Sequence, residues 1–220
     1  MKFTVVIPYR HTDRHRDDAF LFVQAHYLRQ GLEGITGDVM TAEWSKGGAV
    51  DAIVRMLDIT EGLVLADADC IVTPEALADS MRAVADGAAW SMPHRNVLRL
   101  GRAETYMLYR GRREISCLRA SSRPGPPGGG IVVLTREAYA TVGGIDPRFY
   151  GWGGEDISFA RALDTLVGPC VRFEADLWHL YHPRTPRRVG NRASLASEEL
   201  AGRYLDAEAD PAAMRQVIAR

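Results

Sequence analysis

The sequence predicts a single-domain α/β fold, in which a mostly parallel central sheet is flanked by helices on both faces. Short apolar segments alternate with segments of helical periodicity, and such alternation is typical of a parallel sheet covered by helices. The chain has 220 residues, which is enough for one sizeable hydrophobic core. It shows neither an internal repeat nor a linker long enough to divide domains.

The first half of the chain supplies the clearest elements of this fold. A capping hydroxyl at Thr73, followed by Pro74 and Glu75, predicts the start of a helix. The preceding segments predict strands at Thr4–Pro8, Val39–Trp44 and Gly62–Ala66, and helices at Arg14–Gln30 and Ala49–Leu57.

The alternation of strand and helix patterns is less regular after Pro93, and arginines are frequent from there to Arg123. A solvated, partly helical face is favoured there over a nucleic-acid surface, because few aromatic residues lie between the arginines. The Pro/Gly tract from Arg123 to Gly130 predicts a mobile loop. Regular elements then return: strand Ile131–Leu134, helix Arg136–Val142 capped by Thr135, helix Ile157–Leu166, strand Leu177–His182 and a helical region from Ser194 onward.

Composition narrows the class of protein. The net charge of −1 argues against a surface that binds polyanions as a whole. Nearly all positive charge is arginine, with lysine only at Lys2 and Lys46. The three cysteines have no CxxC spacing, so neither a disulfide framework nor a zinc site is expected. No segment approaches the roughly 20 apolar residues of a membrane span, and we expect a cytoplasmic protein.

The segment Gly-Trp-Gly-Gly-Glu-Asp at residues 151–156 is the most informative part of the chain. Its glycines allow the backbone to approach a ligand closely, and Trp152 offers an aromatic platform. Glu155 and Asp156 stand at a helix start, where the helix dipole favours their ionised form, and an ionised carboxylate suits a general base. The alternative is an ordinary glycine loop followed by acidic residues in a first helical turn.

The strand Gly62–Ala66 runs into an Asp-x-Asp motif, formed by Asp67 and Asp69. Residues i and i+2 of an extended segment point to the same side, so both carboxylates face one way. Such oxygens at a strand end can hold a divalent cation whose other positions are filled by phosphate oxygens. A polar turn that leaves the sheet is the alternative.

Two histidines near the end of the last predicted strand, His179 and His182, could add imidazole nitrogen to a metal held by Asp69. Strict alternation puts these side chains on opposite faces, so both can bind only if the strand breaks near Tyr181, before Pro183. Otherwise one histidine is the ligand and the other supports it or packs in the core. Mixed carboxylate and imidazole ligation suits Mn²⁺, whereas Mg²⁺ accepts the oxygens more readily than the nitrogen.

Ligands of such a sheet bind beyond the carboxyl ends of its strands. This rule places Pro8, Tyr9 and Arg10 at the same rim as the acids that follow Ala66. An arginine at this rim suits a nucleotide base or phosphate. For Arg14, a turn later, nucleotide contact and simple solvation are both open.

These motifs together resemble glycosyltransferases of the GT-A fold, and the resemblance covers most of residues 3–183. It is closest to β-1,4-galactosyltransferases, and related pieces occur in polypeptide N-acetylgalactosaminyltransferases and bacterial chondroitin polymerases. The segments that carry it, in chain order, are the Val-Ile-Pro-Tyr-Arg strand, Asp67-Ala68-Asp69, Gly129-Gly130-Ile131, Gly143-Gly144 and the hexapeptide at 151–156.

The resemblance implies a role for each matching residue on the donor side. Asp67 would lie on the ribose side, and Asp69 would bind Mn²⁺ or Mg²⁺ at the diphosphate of a UDP-sugar. In galactosyltransferases two further metal ligands stand three residues apart after the last strand, a spacing matched by His179 and His182. The uridine pocket would be lined by Pro8, Tyr9 and Arg10.

On the acceptor side, the resemblance implies that Trp152 meets both the donor phosphate and the acceptor sugar, next to Gly153. Glu155 and Asp156 would hold the acceptor, and Asp156 would be the base. The retaining N-acetylgalactosaminyltransferases carry asparagine after the glutamate, so Asp156 favours inversion of configuration.

The sequence thus predicts a metal-dependent glycosyltransferase that moves a galactose-, N-acetylgalactosamine- or glucose-type sugar from a UDP-sugar to an acceptor hydroxyl. The acceptor is open among glycan, protein, lipid-linked saccharide and modified nucleic acid. Within one domain over residues 1–220 we expect a nucleotide-binding half (1–93), an acceptor-binding and catalytic half (94–193) and a C-terminal helical segment (194–220).

Two other functions are weighed against this one. A sugar-nucleotide-forming nucleotidyltransferase would carry a glycine-rich, basic loop after the first strand, and residues 8–12 lack it. A non-catalytic nucleotide-sugar-binding subunit would not need Trp152, Glu155 and Asp156 together.

Overall fold

The computed structural model describes residues 1–38, 44–118, 120–150, 153–183 and 192–219, which form two β-sheets and the helices that cover them. The larger sheet has six strands in the described residues, in the spatial order β2-β1-β3-β8-β5-β9. These strands are β1 (Phe3–Pro8), β2 (Gly34–Gly37), β3 (Gly62–Ala66), β5 (Trp90–Met92), β8 (Ile131–Thr135) and β9 (Val171–Arg172).

The larger sheet is mostly parallel, as predicted, with one reversed strand. β1 pairs in parallel with β2 and β3, and β5 pairs in parallel with β9. β8 lies antiparallel between β3 and β5. The reversal follows from where the chain enters β8: its first residue, Ile131, pairs with Ala66, the last residue of β3. The loop before β8 therefore lies beside Asp67.

A smaller sheet, which the sequence did not predict, fixes the histidine segment. Its spatial order is β4-β10-β6-β7. Cys70 of β4 pairs with His179, the last residue of β10. The end of β10 is thereby held beside the residues that follow β3. The strands of this sheet are β4 (Cys70–Ile71), β6 (Asn96–Leu100), β7 (Ala120–Pro124) and β10 (Asp176–His179).

Two helices begin at the capping residues that the sequence indicates. Thr73 and Thr135 each accept a hydrogen bond from the backbone three residues ahead, from Ala76 and Ala138. The helices are α1 (Arg14–Leu28), α2 (Lys46–Met56), α3 (Pro74–Ala85), α4 (Arg102–Tyr109), α5 (Arg136–Thr141), α6 (Glu155–Leu166), α7 (Arg192–Asp206) and α8 (Pro211–Ile218).

The predicted helix at Ala49–Leu57 begins three residues early, at Lys46. Ser45 caps it by accepting a hydrogen bond from Gly48 N at 3.3 Å. The two glycines after Lys46 hid this start, because glycine is an unfavourable residue inside a helix. The early start matters for the site, since it places Lys46 in the first turn of α2.

The predicted strand at Val39–Trp44 is not the strand that pairs with β1. Residues 39–43 lie outside the described residues, Trp44 is not in a strand, and β2 at Gly34–Gly37 takes the place beside β1. β2 needs its glycines: a Cβ on Gly34 would lie 2.8 Å from Ile7 Cδ1. Tight packing of β2 against β1 explains why an apolar pattern alone did not find it.

Residues 125–130 of the Pro/Gly tract form a loop, as predicted, and this loop is packed against the site. Arg123 and Pro124 end β7, and Gly125, Gly128 and Gly129 are buried. A Cβ on Gly128 would overlap the carbonyl oxygen of Asp156 in α6. The missing side chains let the tract lie against the start of α6.

Two hydrophobic clusters cover the opposite faces of the larger sheet. One includes Val6, Leu65, Leu134 and the C-terminal residues Leu200, Tyr204, Met214 and Val217. The other includes Val5, Val64, Val133 and the α1 residues Phe20 and Val23. Alternate residues of each central strand thus serve opposite faces. No helix in the described part of the chain combines the length and apolar character needed to cross a membrane.

Candidate active site

The carboxyl ends of β1 and β3 meet at one rim of the larger sheet, as the strand alternation predicts. Asp67 follows β3 and is fixed there by two hydrogen bonds with Gly130. Its backbone N–H donates to Gly130 O at 2.8 Å, and its Oδ2 accepts from Gly130 N at 3.2 Å. The Asp67 side chain is therefore held by the loop that precedes β8.

Asp69 lies between the two predicted histidine ligands. Its Oδ2 is 3.0 Å from His182 Nε2, and its Oδ1 is 3.8 Å from His179 Nε2. β10 ends at His179, and Leu180 N donates to Asp69 O at 2.8 Å. The strand break that the sequence required is thus present, and both imidazoles face one carboxylate.

Each of these histidines is oriented by a backbone carbonyl. His182 Nδ1 lies 2.8 Å from Pro183 O, and His179 Nδ1 lies 2.9 Å from Leu180 O. A carbonyl requires the hydrogen on Nδ1, which directs Nε2 of both rings towards Asp69. Arg99 Nη1 lies 3.1 Å from His179 Nε2 and occupies that lone pair, so His182 has the better-placed ligand nitrogen.

The charges of this cluster are set by burial and by one another. Burial lowers the pKa of His182, but its hydrogen bond to Asp69 and the Asp69 charge outweigh burial and raise it. For His179, burial dominates and lowers the pKa. Burial alone would raise the pKa of Asp69, yet His179 and His182 hold it below its ordinary value. The cluster favours a positive charge next to the Asp69 carboxylate.

Cys70 also touches this cluster. Its Sγ donates to Asp69 Oδ1 at 3.2 Å, and ligand atoms of Asp69, Cys70 and His179 lie within 4.8 Å of one another. Burial holds the pKa of Cys70 well above its ordinary value, so the sulfur is a neutral thiol. The donor set of carboxylate and imidazole fits a divalent cation such as Mn²⁺.

Lys46 joins the metal motif to the predicted base, and the sequence did not single it out as a site residue. Its Nζ lies 2.6 Å from Asp67 Oδ1 and 2.8 Å from Asp156 Oδ1. Burial lowers the pKa of Lys46, but the charges of Asp156 and Asp67 outweigh it and keep the ammonium protonated. One signal was available in the sequence: Lys46 is one of only two lysines in an arginine-rich chain.

The pKa of Asp156 is higher than its position in the first turn of α6 suggested. Burial raises its pKa to about 7, the charges of Asp67 and Glu155 act in the same direction, and Lys46 opposes them. The helix dipole favours the ionised form, but desolvation and two nearby carboxylates outweigh it at Asp156.

Glycines shape the loop that delivers Asp156. Gly153 and Gly154 have φ angles of 107° and 94°, a region that favours glycine. Glu155 accepts a hydrogen bond from Gly153 N at 3.1 Å and thereby closes the turn at the start of α6. Trp152, the predicted platform residue, lies outside the described residues.

The predicted uridine-pocket residues line the far part of the same rim. Pro8 ends β1, and the Tyr9 ring stacks on Phe20 with centroids 4.0 Å apart. Arg10 Nε lies 2.7 Å from Asp38 Oδ2, and the guanidinium lies 5.3 Å from the centroid of the Trp44 ring.

Arg14, for which solvation and nucleotide contact were both open, has a side chain 89% exposed on α1. Its Nε lies 3.8 Å from Asp18 Oδ2, and both interpretations stay predictions.

Comparison with known proteins identifies the fold. Residues 124–185, under a third of the chain, match the family model of the N-terminal domain of galactosyltransferase. The catalytic domain of Drosophila β1,4-galactosyltransferase 7, solved with xylobiose, is 14% identical and superposes with a TM-score of 0.55. That match covers 89% of this chain and 79% of the Drosophila chain. The chain has the GT-A glycosyltransferase fold.

Two further structures agree with that assignment. A mutant of the Drosophila enzyme in complex with manganese, UDP-Gal and xylobiose gives a TM-score of 0.53 at 14% identity, covering 88% of this chain and 78% of that one. GalNAc-T7 with UDP, GalNAc and Mn²⁺ gives 0.57 at 13% identity, covering 90% of this chain and 47% of that one, so this chain spans about half of it. No curated protein matches the sequence significantly.

The predicted resemblance and the predicted fold class are therefore confirmed. The predicted enzyme class, a glycosyltransferase, is supported by the family match and by the shared fold together. At 13–14% identity the structural matches establish the fold alone. The ligands in those complexes are ligands of those proteins.

Proposed function

We propose that this protein transfers a sugar from a UDP-sugar to an acceptor hydroxyl, in a metal-dependent reaction that inverts the anomeric configuration. The observation that carries the proposal is the link from Asp67 through Lys46 to Asp156. Lys46 contacts Asp67, which stands two residues before the proposed metal ligand Asp69, and it also contacts Asp156 at the start of α6. Donor-side and acceptor-side groups thus share one rim.

On the donor side, Asp69 and His182 would hold a divalent cation. His179, which contacts Arg99, would lie next to the Asp69 carboxylate. A cation bound there supplies positive charge that stabilises the departing diphosphate. Mn²⁺ fits the mixed donors better than Mg²⁺. Asp67 would contact the ribose. The uracil would lie against Tyr9, Pro8 and Arg10, where the Tyr9 ring stacks on Phe20 and the Arg10 guanidinium lies over the Trp44 ring.

On the acceptor side, Asp156 would act as the general base and Glu155 would bind the acceptor sugar. Asp156 takes the proton from the acceptor hydroxyl, whose oxygen bonds to the anomeric carbon from the face opposite the diphosphate. The bond between that carbon and the diphosphate oxygen breaks, and its electron pair leaves with UDP. Trp152 and Gly153 would contact the donor phosphate and the acceptor ring.

The choice of donor is supported by the complexes of the proteins that share the fold. GalNAc-T7 was solved with UDP and Mn²⁺, and the Drosophila enzyme with UDP-Gal and manganese. A donor sugar of the galactose, N-acetylgalactosamine or glucose type fits these precedents. The residues described above carry no feature that selects one acceptor class among glycan, protein, lipid-linked saccharide and modified nucleic acid.

The proposal is tested by screening UDP-sugars for Mn²⁺-dependent hydrolysis and transfer, followed by the variant Asp156→Asn. We expect this variant to lose transfer by at least about 100-fold, because asparagine cannot accept the proton. Its affinity for UDP, measured by calorimetry, should stay close to that of the wild type. Transfer by Asp156→Asn at the normal rate would contradict the role of Asp156.

A further inference from the structure

We propose that Lys46 is a positioning residue for the general base: its ammonium orients the Asp156 carboxylate and keeps it available in the ionised form. This inference rests on the proposed function, because it assigns a role within the same reaction. It concerns Asp156 Oδ1, which Lys46 holds at 2.8 Å, and Asp67 Oδ1, which the same Nζ holds at 2.6 Å.

Lys46 lies partly buried at the start of α2, a position that is unfavourable for a cation without anionic partners. A cation at a helix N-terminus is opposed by the helix dipole, and Lys46 is the first residue of α2. Its side chain is nevertheless only 17% exposed. Ser45 fixes the helix start by donating to Pro147 O at 3.0 Å. The unfavourable dipole and the burial are offset by the two carboxylates that Lys46 holds.

The charge balance around Asp156 gives the ammonium its effect. Among the described residues, three charged groups act on this carboxylate: Asp67 from the end of β3, Glu155 from α6 itself, and Lys46 from α2. Two of the three are negative and favour the protonated acid, which cannot take a proton. Lys46 is the one among them that favours the carboxylate.

The geometry also decides which oxygen of Asp156 is left for the reaction. Oδ1 accepts from Lys46, while Oδ2 faces Gly129, where a Cβ would lie 3.3 Å away. In the part of the chain that the structure describes, no hydrogen bond is made to Oδ2. Lys46 thus holds Oδ1, and Oδ2 is the oxygen that would accept the acceptor proton.

The test uses two neutral variants and a matched control. Lys46→Met removes the charge and keeps the length, and Lys46→Gln offers a second neutral side chain in case the first variant does not fold. Lys46→Arg restores a cation. The control is Lys2→Met, because Lys2 is the only other lysine and is exposed. Thermal melting establishes that each variant is folded.

We expect kcat of the neutral variants to fall by about 100-fold, the range typical of general-base catalysis, with UDP affinity within about threefold of wild type. The acid limb of the profile of kcat/KM against pH should move up by about one to three pH units, because an opposite charge has been removed. Lys46→Arg should recover part of kcat and return the limb towards the wild-type position, and Lys2→Met should change neither.

A titration that needs no activity separates this inference from the proposed function. The side-chain carboxyl resonance of Asp156, labelled with ¹³C and assigned through Asp156→Asn, should titrate at higher pH in a folded neutral variant. An unmoved midpoint overturns the role of Lys46 even if the enzyme transfers sugar. A loss of UDP affinity that accounts for the whole loss of kcat/KM also overturns it, because Lys46 would then be a nucleotide ligand. If the wild type transfers no sugar, the proposed function fails and the titration still decides the role of Lys46.

Discussion

The carboxylates of Asp67 and Asp156 both contact the Lys46 ammonium, and this charge balance affects the pKa of Asp156. Lys46 can neutralise only one of the negative charges of Asp67 and Asp156, and Glu155 adds a third. Burial together with this excess of negative charge raises the pKa of Asp156 to about 7. A base is most effective when its pKa lies near the working pH, so the raised value suits the proposed role.

The raised pKa predicts how activity depends on pH. Asp156 must be ionised to take a proton, so kcat/KM should fall as the pH drops through about 7 and become proportional to the fraction of ionised Asp156. Steady-state kinetics from pH 5 to 9, at saturating Mn²⁺, would measure this limb. A profile that stays flat down to about pH 5, near the ordinary range of a carboxyl, would contradict it.

Removal of the Asp69 carboxylate tests the proposed metal site. Asp69→Ala removes the carboxylate between the two histidines and should abolish the Mn²⁺-dependent part of UDP binding, because the cation loses its anionic ligand. Calorimetric titration of UDP with and without Mn²⁺ measures the difference. Asp79→Asn, which changes an exposed carboxylate paired with Arg82, is the control. Equal titrations for Asp69→Ala and wild type would rule out a metal role for Asp69.

The sequence located the acidic and imidazole groups, because strand ends and helix starts fix where such side chains point. It left open which histidine faces Asp69, since strict alternation forbids both, and only the end of β10 at His179 resolves this. The role of Lys46 could not be predicted from the sequence for a different reason. Its partners, Asp67 and Asp156, are distant in sequence, and glycines after it concealed the start of α2.

The start of α2 is packed against Gly144 and Ile145, in the segment that precedes the hexapeptide at 151–156. A Cβ on Gly47 would overlap the carbonyl oxygen of Ile145, and Gly144, with a φ of 77°, lies against Asp51 of the same helix. The Tyr139 hydroxyl donates to Asp51 and ties α5 to α2. Lys46 therefore has a fixed origin, which its contact with Asp156 requires.

A pair of glycine variants tests this packing. Gly47→Ala should lower the free energy of unfolding by about 1–3 kcal/mol, because the new methyl group overpacks the contact with Ile145. Gly202→Ala, in the middle of α7 with open space around it, should raise that free energy by about 0.5–1 kcal/mol through helix propensity. Urea denaturation measures both. A stabilising Gly47→Ala would show that α2 is not pressed against the loop.

Among the elements, capped helices and apolar strands were predictable, and the small sheet was not. Thr73 and Thr135 are local signals that need no tertiary contact. β7 carries exposed serine and arginine residues, and it is a strand only because β6 pairs with it. The direction of β8 likewise depends on the long-range pairing of Ile131 with Ala66.

The C-terminal helices are part of the main core, and a buried carboxylate, Asp146, links them to the segment before the hexapeptide at 151–156. Asp146 is 3% exposed and accepts hydrogen bonds from Arg148 and from the Tyr204 hydroxyl of α7. Arg148 also donates to Val217 O at 2.6 Å in α8. Since Asp146 lies five residues before the hexapeptide at 151–156, this network connects α7 and α8 to the segment that precedes the proposed base.

Loss of the Asp146 charge should destabilise the whole molecule. We expect Asp146→Asn to lower the free energy of unfolding by about 2–4 kcal/mol, because the buried acceptor of the Arg148 and Tyr204 hydrogen bonds loses its charge. Asp79→Asn, in an exposed pair, should change it by less than about 0.5 kcal/mol. Urea denaturation at pH 7 measures both, and equal values for the two variants would contradict the network.

The same carboxylate sets part of the dependence of stability on pH. Burial raises the pKa of Asp146, but hydrogen bonds from Arg148 and Tyr204 outweigh burial and lower it. Its contribution should be fully present above the unfolded value of about 3.9 and be lost as the pH falls through the lower folded value. Asp146→Asn should therefore flatten the acid side of the stability profile.

Anomalous diffraction from crystals containing Mn²⁺ and UDP tests most directly whether a cation at Asp69 serves a diphosphate within reach of Asp156. We expect one strong manganese peak bonded to Asp69 and His182, touching the diphosphate on the side where Lys46 links Asp67 to Asp156. UDP bound with no manganese at Asp69, or with its diphosphate at another face of the molecule, would contradict the proposed mechanism.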